Sequence, residues 1–177
     1  SPAGNRTLYV VGFGRGVYKS TDDGKSWRLC DRGLPENNRN AWWLAGDPAG
    51  AMYLLIFRDF QDGLSVPGGV YRTTDGAETW ERLPISDSIP SPNDLCVSPD
   101  GAIYVGAWPV ALPDGLVEGG VLRSDDGGET CARLPFPGRY VYGVTLDQGA
   151  LYATSWHQGV FRSEDGGQTW MRLGGAN

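Results

Sequence analysis

Four carboxylates lie in two short stretches of the 177-residue sequence. Asp59 and Asp62 sit in RDFQDGLSVPG, which starts at Arg58, and Asp114 and Glu118 sit in WPVALPDGLVEG, which starts at Trp108. Hydrolysis of a glycosidic bond needs two such groups about 5–10 Å apart, one to protonate the leaving oxygen and one to attack or to activate water. Asp59, Asp62, Asp114 and Glu118 are therefore the candidate catalytic residues, with their separation left open by the sequence. The same stretches hold Arg58, Phe60 and Trp108, and a third holds Trp156 and His157. Flat aromatic faces stack on rings, and guanidinium and amide groups bond hydroxyls. Arg58, Phe60, Trp108, Trp156 and His157 are the candidate ligand-binding residues, with Asn38, Arg39 and Asn40 before Trp42-Trp43 and Arg139 before Tyr140 as further polar and aromatic material. Taken singly, each has a plainer reading as packing between sheets or as a solvated loop tip.

Other chemistries have little material. His157 is the single histidine, which argues against a histidine-built metal cluster or a Ser-His-Asp triad. No D-x-[DN]-x-[DN]-G loop is present, and GFGRG at Gly12 lacks the spacing and the following helix of a dinucleotide loop. No metal and no cofactor are expected. Lys+Arg is 15 against 21 Asp+Glu, a net charge of -6, so a basic nucleic-acid-binding face is not expected. The longest clean apolar run, Ala51 to Phe57, is too short to span a bilayer. Three cysteines at irregular spacing exclude a disulfide framework, and Cys30, Cys96 and Cys131 are expected as buried thiols. Only Lys19 and Lys25 are lysines, a bias that suggests a GC-rich bacterial genome. The compartment is left open, with a secreted or periplasmic location the expectation.

The elements that would position these residues follow from a repeat. GVYKSTDDGKSW from Gly16, GVYRTTDGAETW from Gly69, GVLRSDDGGETC from Gly120 and GVFRSEDGGQTW from Gly159 are four versions of one pattern. Upstream of each lies a second shared piece, LYVVG at Leu8, MYLLI at Met52, IYVGA at Ile103 and LYATS at Leu151. In three cases a third apolar run precedes that, at Ala41, Asp94 and Tyr140. Turn signals separate the pieces, and helical periodicity is nowhere convincing. Four short strands, here A to D, recurring about every 40–50 residues make a propeller blade.

The hairpin units resemble the Asp-box, S-x-D-x-G-x-T-W, of the sialidase-type repeat. Ser20, Asp22, Gly24, Ser26 and Trp27 match it, as do Ser163, Asp165, Gly167, Thr169 and Trp170. The third unit keeps Ser124, Asp126, Gly128 and Thr130 but has Cys131 for Trp, and the second keeps Thr73, Asp75, Thr79 and Trp80 but has Ala77 for Gly. The resemblance implies a β-propeller like those of xyloglucanases, sialidases, sortilin ectodomains and photosystem assembly factors. Asp22, Asp75, Asp126 and Asp165 then read as structural turn locks, since a short carboxylate accepts backbone N–H groups a few residues on. Ala77 is expected to carry strain, because its equivalents are glycines suited to positive φ.

The expected architecture is all-β: one propeller segment over 1–177, with blades at about 1–32, 40–84, 93–135 and 139–174. Ser1 to Asn5 reads as an A–B turn, so the first blade lacks its inner strand, and the segment is expected to belong to a larger propeller completed by a missing segment or a second chain. Strand alternation puts the C–D turns on one face and the B–C loops on the other. Two neighbouring B–C loops, Arg58 to Gly68 and Trp108 to Gly119, exceed what the scaffold needs, which is where binding usually sits. The expected function is a glycoside-hydrolase-like propeller binding oligosaccharide or polysaccharide on its B–C face. The F-R-I-P-like segment of sialidases and the catalytic Asp segment of xyloglucanases are not recognisable, so activity is expected only in a longer parent. The alternative is a non-catalytic, protein-binding scaffold.

Overall fold

A computed structural model describes residues 6–89, 91–113 and 115–174. The chain folds as four consecutive antiparallel sheets, the blades of a partial β-propeller. Blade 1 holds β1 (Leu8–Gly12), β2 (Gly16–Ser20) and β3 (Arg28–Leu29), three strands among the described residues. Blade 2 is β4 (Ala41–Gly46), β5 (Met52–Ile56), a small hairpin of β6 (Asp59–Gln61) and β7 (Leu64–Val66), then β8 (Gly69–Thr73) and β9 (Glu81–Arg82). A single 3-10 turn, Pro84–Asp87, follows. Blade 3 repeats blade 2 with β10 (Pro92–Val97), β11 (Ile103–Ala107), a hairpin of β12 (Val110–Leu112) and β13 (Gly115–Val117), β14 (Gly120–Ser124) and β15 (Ala132–Arg133). Blade 4 is β16 (Val141–Asp147), β17 (Ala150–Ser155), β18 (Gly159–Ser163) and β19 (Met171–Leu173). The two long B–C loops are thus β-hairpins, and the proposed A–B turn at Ser1 to Asn5 lies outside the described residues.

Period-2 alternation makes each strand two-faced. In β5, Leu54 and Ile56 join the core shared with blade 1, while Tyr53 and Leu55 join the core shared with blade 3. A third core joins Val121 and Leu134 of blade 3 to Val144, Leu151 and Ala153 of blade 4. Each fully buried Val, Leu or Ile contributes roughly 1.5–3 kcal/mol, so the blade joints hold most of the apolar stabilisation.

The C–D turns are built alike. Asp22 accepts the Ser26 backbone N–H at 2.9 Å and the Ser26 and Ser20 hydroxyls at 2.7 Å each. Asp75, Asp126 and Asp165 do the same with Thr79, Thr130 and Thr169. The Ser26 hydroxyl and backbone N–H hold the Asp22 carboxyl down at about 2, and the other three are likewise held low by their threonines. These carboxylates are committed to their own turns. Ala77 has φ 66 and follows Gly76 at φ 71, so the left-handed conformation expected there is present in a residue with a Cβ.

Candidate functional site

The B–C face is organised by two series of residues that recur once per blade. The first residue after strand B is aromatic in all four: Phe13, Phe57, Trp108 and Trp156. In blades 2 to 4 its backbone N–H is tied to the start of the same blade, Phe57 to Asn40 O at 2.9 Å, Trp108 to Ser91 O at 2.9 Å and Trp156 to Tyr140 O at 3.0 Å. The second series comes from strand A. A register shift opens between Ala41 and Trp43, between Pro92 and Asp94, and between Val141 and Gly143. The extra residue is Trp42, Asn93 or Tyr142. A bulge of this kind re-aims its side chain out of the ladder.

In blades 2 and 3 the bulge residue reaches the next blade. Trp42 Nε1 donates to Asn93 O at 3.1 Å, and Asn93 Nδ2 donates to Tyr142 O at 2.8 Å. The two series interleave into one aromatic strip. Phe13 meets Trp42 at 6.1 Å between ring centroids, Trp42 meets Phe57 at 6.2 Å, and Phe57 meets Trp108 at 6.4 Å. Trp108 then meets Tyr142 at 4.7 Å and Trp156 at 6.3 Å, and Trp156 meets His157 at 5.3 Å. A groove of about 290 Å³ runs along Phe13, Trp42, Phe57, Trp108 and Tyr142 with Asn93 in its lining. A second cleft, of about 340 Å³, is lined by Tyr140, Trp156 and His157.

The hairpins stand beside this strip. Asn38, fully buried, donates to Phe57 O at 3.0 Å and Pro67 O at 3.2 Å and so pins the root of the β6–β7 hairpin. Arg58 is half-buried and bonds the Ser65 hydroxyl, and burial lowers its pKa. Phe60, Leu64 and Leu116 are exposed on the hairpins.

The sequence-derived candidates separate accordingly. Trp108, Trp156 and His157 come together in the strip, whereas Phe60 makes no ring contact among the described residues. Asp59 is bonded by Gln61 Nε2 at 2.9 Å and the Phe60 N–H at 2.8 Å, which lower its pKa. Asp62 is an exposed hairpin-tip residue at φ 50. Glu118 pairs with Arg139 at 3.4 Å. Asp114 lies outside the described residues. A general acid needs a raised pKa, and the hydrogen bonds to Asp59 push it the other way. The carboxyl that burial does raise is Asp94, although the Val144 and Leu95 N–H groups at 2.9 and 2.8 Å partly offset it. Asp94 lines the axial side of strands β4, β10 and β16 with Trp43, Val97 and Val144. Among the described residues no group of His, Cys, Asp and Glu could hold a metal ion, and no helix is long and apolar enough to cross a membrane.

No family model matches the chain. A xyloglucanase of Emericella nidulans, specific for the reducing end of oligoxyloglucan, is 30% identical over 145 residues; the match covers 79% of this chain and 16% of that enzyme. The GH74 enzyme of Niastella koreensis superposes with a TM-score of 0.74 at 16% identity, over 98% of this chain and 28% of the other. The GH74 xyloglucanase of Xanthomonas campestris gives 0.72 at 20% identity, over 99% and 30%. The chain therefore spans less than a third of each of these proteins, and its fold is that of a segment of a glycoside-hydrolase-type propeller.

Proposed function

We propose that this chain is an Asp-box segment of a glycoside-hydrolase-like protein and that its B–C face binds saccharide. The observation that carries the reading is the unbroken aromatic strip from Phe13 to His157, which offers stacking faces in all four blades. Apolar platforms with a few placed polar groups are what ring-bearing, uncharged ligands require. Arg139, exposed at the strand-A end of the same face, supplies donors for hydroxyl groups. The turn carboxylates Asp22, Asp75, Asp126 and Asp165 take no part, being saturated at the opposite end of the strands. Hydrolysis by this chain alone is not part of the proposal; in a longer parent the corresponding activity is glycoside hydrolysis.

Xyloglucan oligosaccharides are the first probe, because the similar enzymes are named for that substrate. Calorimetric titration should give saturable binding that Trp108→Ala and Trp156→Ala each weaken at least ~10-fold, with unchanged melting temperature for Trp156→Ala. No binding across xyloglucan, other β-glucans and sialosides would overturn the saccharide reading. A second reading, a protein-binding scaffold, is favoured by exposed Phe60, Leu64 and Leu116 on the two hairpins. Saccharide binding lost with the strip and retained in Phe60→Ser/Leu116→Ser separates the two.

A further inference from the structure

Two buried asparagines tie the B–C face together, and they differ in one respect. Asn38 is 1% exposed and Asn93 is 5% exposed. Each turns its amide nitrogen toward two backbone carbonyls. Asn38 Nδ2 donates to Phe57 O and Pro67 O, and Asn93 Nδ2 donates to Tyr142 O at 2.8 Å and Val141 O at 3.4 Å. These bonds fix which way each amide points, because an oxygen in the same place would set acceptor against acceptor. Asn38 is then complete, since its Oδ1 accepts the Asn40 N–H at 3.1 Å. Asn93 Oδ1 accepts no hydrogen bond among the described residues, and Asn93 lies in the lining of the aromatic groove.

A covered carbonyl oxygen left without a donor costs free energy. A side chain that only clipped blade 3 to blade 4 would do better saturated on both sides, as Asn38 is. The groove holds no other group of fixed sense. Trp42 Nε1 is spent on Asn93 O, and Trp108 Nε1 is enclosed by protein without a partner. The Tyr142 hydroxyl rotates and can donate or accept, and Phe13 and Phe57 have no polar atom to offer. Asn93 is also the one member of the bulge series that is not aromatic, placed between Trp42 and Tyr142. All its partners, from blade 2 to blade 4, belong to this chain.

We propose that Asn93 is the specificity-determining residue of the saccharide site, its Oδ1 accepting one ring hydroxyl of a sugar seated in the groove. This rests on the saccharide reading above and adds what the site selects. Aromatic walls take the apolar face of many rings. A fixed, half-enclosed acceptor takes only a ring that brings an O–H donor to that point. The class selected is therefore a neutral sugar ring with a donor hydroxyl at its edge, and an analogue lacking that hydroxyl leaves the acceptor unpaired.

Calorimetric titration of the unaltered chain with cellotetraose and its monodeoxy and monodeoxyfluoro analogues tests this. At one hydroxyl position, removal should weaken binding ~10-fold, and fluorine, which cannot donate, should not restore it. Asn93→Ala should lose the same factor for the parent sugar and no more for that deoxy analogue, so that the two bind alike; its melting transition shows whether it is folded. In the unaltered chain, nuclear magnetic resonance of the Asn93 side-chain amide gives an independent readout. It should shift on saturation with cellotetraose or a xyloglucan oligosaccharide and stay in place with the deoxy analogue. Binding in which no position shows this pattern, or a folded Asn93→Ala protein that still discriminates, would overturn the inference and leave the saccharide reading standing. So would an Asn93 amide resonance that no bound sugar moves. Absence of binding by any saccharide would remove both.

Discussion

At two of the three blade joints a leucine meets a glycine. A Cβ built on Gly128 would lie 2.6 Å from Leu83 Cδ1, and one on Gly167 would lie 2.4 Å from Leu134 Cδ1. The first joint departs from this on both sides. Cys30 stands three residues after its turn tryptophan, where Leu83 and Leu134 stand in blades 2 and 3, and Ala77 stands where Gly128 and Gly167 do. Both are buried in one core with Leu34 and Trp80. The smaller thiol leaves the room that the extra methyl fills, so the two departures should be energetically coupled. Cys30→Leu alone overpacks that core, at about 1–3 kcal/mol. For Ala77→Gly three terms oppose each other: release of about 1–2 kcal/mol of left-handed strain, loss of about 0.8 kcal/mol of methyl burial, and about 0.4–1 kcal/mol of added unfolded-state entropy. Its net effect is therefore within about 1 kcal/mol of zero. The double variant recreates the Leu–Gly pair of the other joints and should recover most of the Cys30→Leu loss. Urea and thermal unfolding of the four proteins measure the cycle, with about 2–4 °C in Tm per kcal/mol at this size. A coupling energy of at least ~1 kcal/mol is expected between residues in contact. Additivity of the two single changes would refute the complementarity, and a large gain from Ala77→Gly alone would show that the methyl packs against nothing.

Acid should expose the turn locks. The Asp22 carboxyl is held at about 2, below its unfolded value of 3.8, so its contribution is fully present above about pH 4 and fades as the pH falls toward 2; Tm from circular dichroism should drop across that window, and less so in Asp22→Asn. Asp165→Ala should lower Tm at pH 7 without changing saccharide affinity, and intact Tm with lost binding would move that carboxylate from turn to ligand site. Asn38→Ala leaves the Phe57 and Pro67 carbonyls without their amide donor, at about 1–3 kcal/mol; faster hydrogen exchange in residues 59–66 should accompany the loss.

The fold is legible because the repeat writes each blade's periodicity and turn chemistry separately. Gly-Val-aromatic or leucine, then Lys or Arg, then Ser or Thr, recurs as β2, β8, β14 and β18 with no boundary moved. The hairpins inside the long B–C loops were less visible. DFQ with LSV and VAL with GLV are short, with only three paired residues per strand, and Asn38 pins the root of the first hairpin from outside it. The turn tryptophan also resists a uniform reading. Trp80 is buried and Trp27 is exposed, although both occupy the same place in the motif. What differs is whether a preceding blade lies against it, which is a property of the neighbour and not of the motif.

The candidate site divides along a similar line. Trp108, Trp156 and His157 stood out because they lie in or beside conspicuous loops. Phe13 and Phe57 belong to the same series, and aligning the four strand-B pieces shows it: the residue directly after LYVVG, MYLLI, IYVGA and LYATS is Phe, Phe, Trp and Trp. That signal was present in the sequence and needed only the repeat to be carried one position further. Trp42, Asn93 and Tyr142 are different. Strict alternation assigns successive strand residues to opposite faces, and a bulge breaks that count by one residue. Nothing in AWWLAG, PNDLCV or VYGVTLD marks where the extra residue falls. The three sites are fixed instead by the pairing of strand A with strand B, where the partner is one residue short. The same bulge explains Asp94. It sets Asn93 into the aromatic groove and Asp94 onto the axial surface, so two adjacent polar residues serve different faces, and burial raises the pKa of the Asp94 carboxyl.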